Sequence, residues 1–287
     1  MTALSSGPVG VDADVAEVAV VLVARNAFDD VCAVLPELER EARGLRLRVV
    51  VVVCGAGDGT AAMLTEYPDV VTVAVPGGTS PAAAVDAGVA RVGDAEAVLL
   101  LSPEFALDRA AIPRMLACLR SDARIGAVAP LVRGADGSVR FTQRREPSLL
   151  RAVGDRLFPG RVSRRPGAFA ERVTDPVAYA WARRVDWVEA SVLMLDLQAA
   201  RRIGRWDDRF GRTAAGADMQ RRLRAGGWAV WFEPAAGATL RRAGEESGET
   251  RDDDADRLLY IRTHHPRSGP LLRMLRRRPI PSTGTSG

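Results

Sequence analysis

The stretch AVLLLSPEFAL, residues 97–107, governs how the rest of this chain is read. Its first half is apolar without alternation, the pattern of a strand buried on both faces. Then come Ser102, Pro103 and one carboxylate, Glu104. A strand covered on both faces belongs to a sheet sandwiched by helices, and such sheets hold ligands just outside the carboxyl ends of their strands. Glu104 therefore reads either as an acid aimed at a ligand or metal, or as an ordinary solvated turn residue.

Working upstream, three more runs share this character: VAVVLVA (18–24), LRVVVVV (47–53) and VVTVAV (70–75). Between them lie segments with helical spacing at 31–42, 59–67 and 80–92. Ser80 is placed to cap the last of these, with Pro81 at its first position. Downstream, residues 108–122 read as a helix and IGAVAP (125–130) as a fifth strand. The alternation predicts an α/β protein with a mostly parallel sheet covered by helices on both faces. Asn26, Cys54, Gly77 and Glu104 each follow the end of a strand.

After residue 130 the rhythm changes. ADGS (135–138) marks a turn in a hairpin, and 142–183 is rich in Arg and Pro and gives no assignment. WVEASVLMLD (187–196) reads as strand, and GADMQRRLRAGG (216–227) as a helix closed by its glycine pair. WAVWFEP (228–234) reads as strand and 252–264 as a last helix. The expected organisation is a flexible arm at 1–15, one domain at 16–265 and a basic tail at 266–287.

Composition narrows the class. The 287 residues are 47% hydrophobic with a net charge of +4, and with no lysine all 40 basic residues are arginine. Cys32, Cys54 and Cys118 show no C-x-x-C spacing, which argues against a zinc site or disulfide framework and fits the reducing cytoplasm. No apolar run approaches the ~20 residues that span a bilayer, and the first residues lack the pattern of a signal peptide.

Several motifs invite readings that fail. The glycines of CGAGDGT (54–60) are spaced G-x-G-x-G, not the G-x-G-x-x-G of a dinucleotide site. PGGTS (76–80) has no lysine to complete a phosphate loop and reads as a tight connection. The same lack argues against a nucleotidyltransferase. His264 and His265 are adjacent, so they diverge on a helix and read as surface residues. Trp187 with Glu189, and Trp206 with Asp207 and Asp208, suit either a carbohydrate site or core anchoring. The basic, apolar stretch at 262–278 can lie on an anionic membrane or be a solvated tail. It lacks the interleaved aromatics of a nucleic-acid binder, so no nucleic-acid partner is expected.

Taken in order, these segments resemble the family 2 glycosyltransferases of the GT-A fold, most closely a bacterial rhamnosyltransferase branch acting on polyprenyl-diphosphate-linked sugars. The resemblance covers residues 16–265. It is carried by IGAVAPLVRGADGSVR (125–140), VDWVEASVLML (185–195) and IGRWDDRFGRTAAGADMQRRLRAGGWAVWFEP (203–234). It implies a donor site at Asn26, Asp58, Ser102 and Glu104, with Glu104 as ligand of a Mg²⁺ or Mn²⁺ ion, and an acceptor side at Trp187 and Glu189. Other positions depart from the branch. Val53 and Cys54 replace an Asp–Asn pair that reads the base, Ala215 and Gly216 replace the Glu–Asp pair carrying the catalytic base, and Arg241–Arg242 replace a His pair.

Two functions follow. One is an inverting transferase moving a sugar from a nucleotide-diphosphate donor to a lipid-linked or cell-envelope glycan acceptor. It would work in the cytoplasm or at the inner membrane face, with Asp218, Asp207 or Asp208 as base and Arg241 and Arg242 clamping the diphosphate. The other is a degenerate relative that no longer catalyses and instead binds a protein partner in glycan assembly.

Overall fold

The computed structural model describes residues 16–41, 44–55, 57–148, 170–242 and 251–265, with only the backbone described at 251–254. The expected arm and basic tail lie outside these residues. The first half alternates as its sequence requires: β1 (Val18–Ala24), α1 (Phe28–Glu41), β2 (Leu47–Cys54), α2 (Thr60–Met63), β3 (Val70–Val75), α3 (Pro81–Val89) and β4 (Ala97–Leu101). There follow β5 (Phe105–Leu107), α4 (Ala111–Ser121) and β6 (Ile125–Arg133). β1 lies parallel between β2 and β4, with Val20 opposite both Val49 and Leu99. Ser80 caps α3 as its sequence predicts, accepting from the Ala83 N–H at 3.2 Å.

The second half contains β7 (Gln143–Arg144), β8 (Arg183–Val185), β9 (Trp187–Val188), β10 (Val192–Asp196), α5 (Leu197–Ile203), α6 (Arg212–Ala225), β11 (Ala229–Leu240) and α7 (Arg251–His264). The main sheet runs β3-β2-β1-β4-β10-β6-β11-β5, with β8 also pairing β11. β10 is antiparallel to both β4 and β6, so the sheet is mixed. The run 187–196 is two strands rather than one. Its first part pairs β7 in a separate two-stranded sheet, and its second enters the main sheet. β11 continues past Pro234, which ends the strand in the sequence reading. A register shift between Glu233 and Gly237 takes up the proline, and pairing with β6 resumes at Gly237.

Alternate residues of each strand build a core on each face. Val18, Val20 and Leu22 meet Val31, Leu35 and Leu38 of α1 and Ile112, Met115 and Leu116 of α4. Ala19 and Val21 face the layer holding Ala84 of α3, Leu197 of α5 and Met219 and Leu223 of α6. A third core joins α6 to α7 through Phe210, Ala214, Ala217, Tyr260 and Ile261, with Trp187 among them. No helix among the described residues is long and apolar enough to cross a membrane.

Candidate active site

The carboxyl ends of β1 and β4, the start of α3 and the first turn of α6 surround an open cleft. Most of its wall is apolar, from Val21, Leu100, Ala82 and their neighbours. Its polar lining among the described residues consists of Arg25, Ser102, Trp206 and Arg212, and no carboxylate among them lines it. Two cations facing an apolar wall without acids suit an anionic ligand carrying a hydrophobic or sugar face.

Arg25 leaves β1 and reaches the loop after β3, donating to the carbonyls of Gly77 and of Thr79, the latter at 2.6 Å. It ties two strand ends across the edge. Asn26 takes a left-handed turn (φ 51) that aims the chain into α1, and its side chain is exposed. The ends of β2 and β3 nearly touch, because a Cβ built on Gly55 would stand 3.4 Å from the Gly77 Cα. Arg212 has no hydrogen-bond or ion-pair partner among the described residues. Trp206 is fixed from behind, its backbone N–H donating to Asp86 of α3 at 3.1 Å.

At the tip of β4, the Ser102 N–H donates to Ser191 at 2.8 Å and its carbonyl accepts from Phe105 at 3.1 Å, a tight turn that presents Glu104. Glu104 is half-buried, and its carbonyl accepts the Arg241 N–H at 2.9 Å. No group of three metal-ligating side chains occurs among the described residues. A lone carboxylate fits Mg²⁺ or Mn²⁺ when substrate phosphates and water complete the shell.

The arginine clamp expected at 241–242 is not formed. Arg241 makes a bidentate pair with Glu37 of α1 at 3.0 and 2.7 Å and donates to the carbonyls of Pro103 and Phe105. It braces the turn that carries Glu104. Arg242 pairs with Asp30 at 2.9 Å. Both guanidinium groups are held by α1 carboxylates. Asp58 is likewise engaged, accepting from the Thr60 N–H and hydroxyl at 3.1 and 2.8 Å. Burial works to raise its pKa, but these bonds outweigh burial and hold it below the ordinary aspartate value.

None of the three expected bases lines the cleft. Asp218 is 3% exposed and sealed by Arg222 and by the His264 ring, each at 2.8 Å. Asp207 turns onto Arg209, whose hydrogen bonds hold its pKa low. Asp208 is exposed on the same turn. On the expected acceptor side, Trp187 is 1% exposed, donates to the Arg145 carbonyl at 2.9 Å and lies under Arg144. Its indole is a core anchor and offers no face to a sugar. Glu189 is paired with Arg144 at 2.5 Å.

Sequence reasoning missed Arg25, Arg212 and the half-buried pairing of His264 with Asp218. Arg212 did leave one local sign, a cation at the positive end of a helix dipole.

No family model matches the chain. The chain is 26% identical over 220 residues to N-acetylglucosaminyl-diphospho-decaprenol L-rhamnosyltransferase of Mycobacterium tuberculosis, covering 70% of each protein. Among solved structures it superposes on GalNAc-T7 with UDP, GalNAc and Mn²⁺ (TM-score 0.64, 11% identity), covering 87% of this chain and 48% of that one. It superposes on the Pyrobaculum calidifontis mannosyltransferase PcManGT with GDP-Man and Mn²⁺ (TM-score 0.56, 15% identity), covering 91% and 69%. A third match is S. aureus TarS 1-349 with UDP-GlcNAc (TM-score 0.56, 11% identity), covering 86% and 66%. The fold is the GT-A fold of glycosyltransferases.

Proposed function

We propose that this chain, built on the GT-A fold and similar to the rhamnosyltransferase branch of family 2, transfers a sugar from a nucleoside-diphosphate donor to a lipid-linked glycan acceptor. The observation carrying the proposal is the cleft at the carboxyl edge, cationic at Arg25 and Arg212 and lined by Ser102 at the tip of β4.

In this reading Arg212 binds a phosphate oxygen of the donor and Ser102 supplies a hydroxyl. Arg25 exchanges its loop carbonyls for phosphate. Trp206 covers the C–H face of a sugar. A divalent cation held by Glu104 and the diphosphate would neutralise charge on the leaving group. The acceptor hydroxyl attacks the anomeric carbon, loses its proton and inverts the centre as the nucleoside diphosphate departs. The proton needs an acceptor. With Ala215 and Gly216 at the base positions, that role falls to Asp208, which must swing in from the turn beside Trp206.

A second reading is favoured by the lack of a carboxylate among the described residues of the cleft lining: the fold retains donor binding but not transfer, and serves another protein. One assay separates the two. The purified chain is incubated with UDP-, dTDP- and GDP-sugars, a polyprenyl-diphosphate-linked GlcNAc acceptor and Mn²⁺ or Mg²⁺, and nucleoside diphosphate release is followed. Release that depends on acceptor and is lost in Asp208→Ala and Glu104→Gln supports transfer. Nucleotide binding without release supports the second reading. The absence of both overturns the donor site altogether.

A further inference from the structure

Four large hydrophobic side chains are well exposed among the described residues, and two of them, Val177 (66%) and Trp181 (70%), lie within one short segment. That segment, PVAYAWARR at 176–184, begins with a single 3-10 turn at Pro176–Tyr179 and runs into β8. The turn is firmly built. The Asp175 carboxylate caps it by accepting the Val177 N–H at 3.0 Å. The Tyr179 hydroxyl accepts from the Gln143 N–H at 2.8 Å and donates to the Val173 carbonyl at 3.0 Å. The Tyr179 ring is packed edge-on against Phe141 and Phe232 at 5.4 and 5.5 Å. Gln143 also holds the Ala178 carbonyl. Val177 and Trp181 are thus displayed by a pinned backbone. A tryptophan held in water in this way leaves its indole surface unburied.

The charge beside it is positive. Arg183 and Arg184 open β8, one toward each face of this edge strand, both exposed and without an ion-pair partner among the described residues. The position is also informative. β6 and β11 run in the same direction as β1 and β4. β8 is antiparallel to β11, with Val185 opposite Val230 and Arg183 opposite Phe232. Its first residues therefore point toward the carboxyl edge of the sheet, the edge that holds the cleft.

We propose that Val177, Trp181, Arg183 and Arg184 form a docking surface for an anionic lipid bilayer. An indole with a small aliphatic neighbour suits the headgroup boundary, where Trp is enriched, and the two guanidinium groups match anionic headgroups. Docked by this patch, the protein turns the edge carrying its cleft toward the membrane. The inference rests on the patch alone and does not require transfer to occur.

The test is sedimentation of the full chain with phosphatidylcholine vesicles, with and without phosphatidylglycerol, read alongside tryptophan fluorescence. Binding is expected only with phosphatidylglycerol, falling as salt is raised and accompanied by a blue shift that Trp181→Ala removes. Arg183→Ala/Arg184→Ala should weaken binding by about tenfold or more. An unchanged thermal melt in each variant keeps misfolding from explaining the loss. Full binding in both variants would place any membrane contact elsewhere and overturn the proposal. So would no binding to either vesicle, or capture of a protein in place of lipid.

Discussion

Arg212 stands at the first position of a 14-residue helix whose first turn contains no acid. A cation there opposes the helix dipole and costs a few tenths of a kcal/mol or more, an arrangement expected where a ligand supplies the missing anion. Arg212→Ala should weaken nucleoside diphosphate binding by roughly 10- to 100-fold, the worth of a hydrogen bond to a charged group. Titration calorimetry reads this directly, and unchanged affinity would remove Arg212 from the site. Cys118 offers a second check at this scale. Burial, with the nearby Glu233 charge, pushes its thiol pKa up to about 11. At pH 8 it stays protonated and should resist a thiol reagent until the protein is unfolded. Labelling of Cys118 at the rate of a free thiol in the native protein would contradict the packing around α4.

At the scale of elements, α3 owes its closeness to β1 and β2 to Gly88. A Cβ added there would collide with the Val21 side chain and lie 2.9 Å from the Val52 Cγ2. Gly88→Ala should cost about 1–3 kcal/mol through overpacking, seen as a lower denaturant midpoint with unchanged slope. Elements set by local pattern were legible. The continuous apolar runs gave β1 to β4, and Ser80–Pro81 gave the start of α3. What escaped the sequence depends on distant partners. The break of 187–196 into β9 and β10 follows from β7 and β4 taking different halves of the run. The continuation of β11 beyond Pro234 depends on β6 resuming its pairing. The site divides in the same way. Glu104 and Ser102 could be placed from the strand that ends beside them. The engagement of Arg241 by Glu37, 204 residues away, and of His264 by Asp218 could not.

Across the whole molecule, Glu146 ties three parts together, receiving Arg221 and Arg224 from α6 and Tyr260 from α7. Burial works to raise its pKa, but the bonds from Tyr260 and the two arginines outweigh it and hold it below the ordinary glutamate value of 4.5. A group depressed in the folded state adds stability above its unfolded pKa and loses it as pH falls through the folded value. Stability should therefore decline below about pH 4.5. Glu146→Gln should be less stable at pH 7 and show a shallower decline in acid, and a pH series of thermal melts decides it. The reversed strand at the centre of the sheet has its own consequence, for how the chain is made. β4 and β6 leave the ribosome early, but the strand that must lie between them is Val192–Asp196, supplied only after the next segments are synthesised. Until it arrives both inner edges stay open to wrong partners, so a nascent chain stopped short of residue 192 has half a sheet with no middle and needs a chaperone's protection.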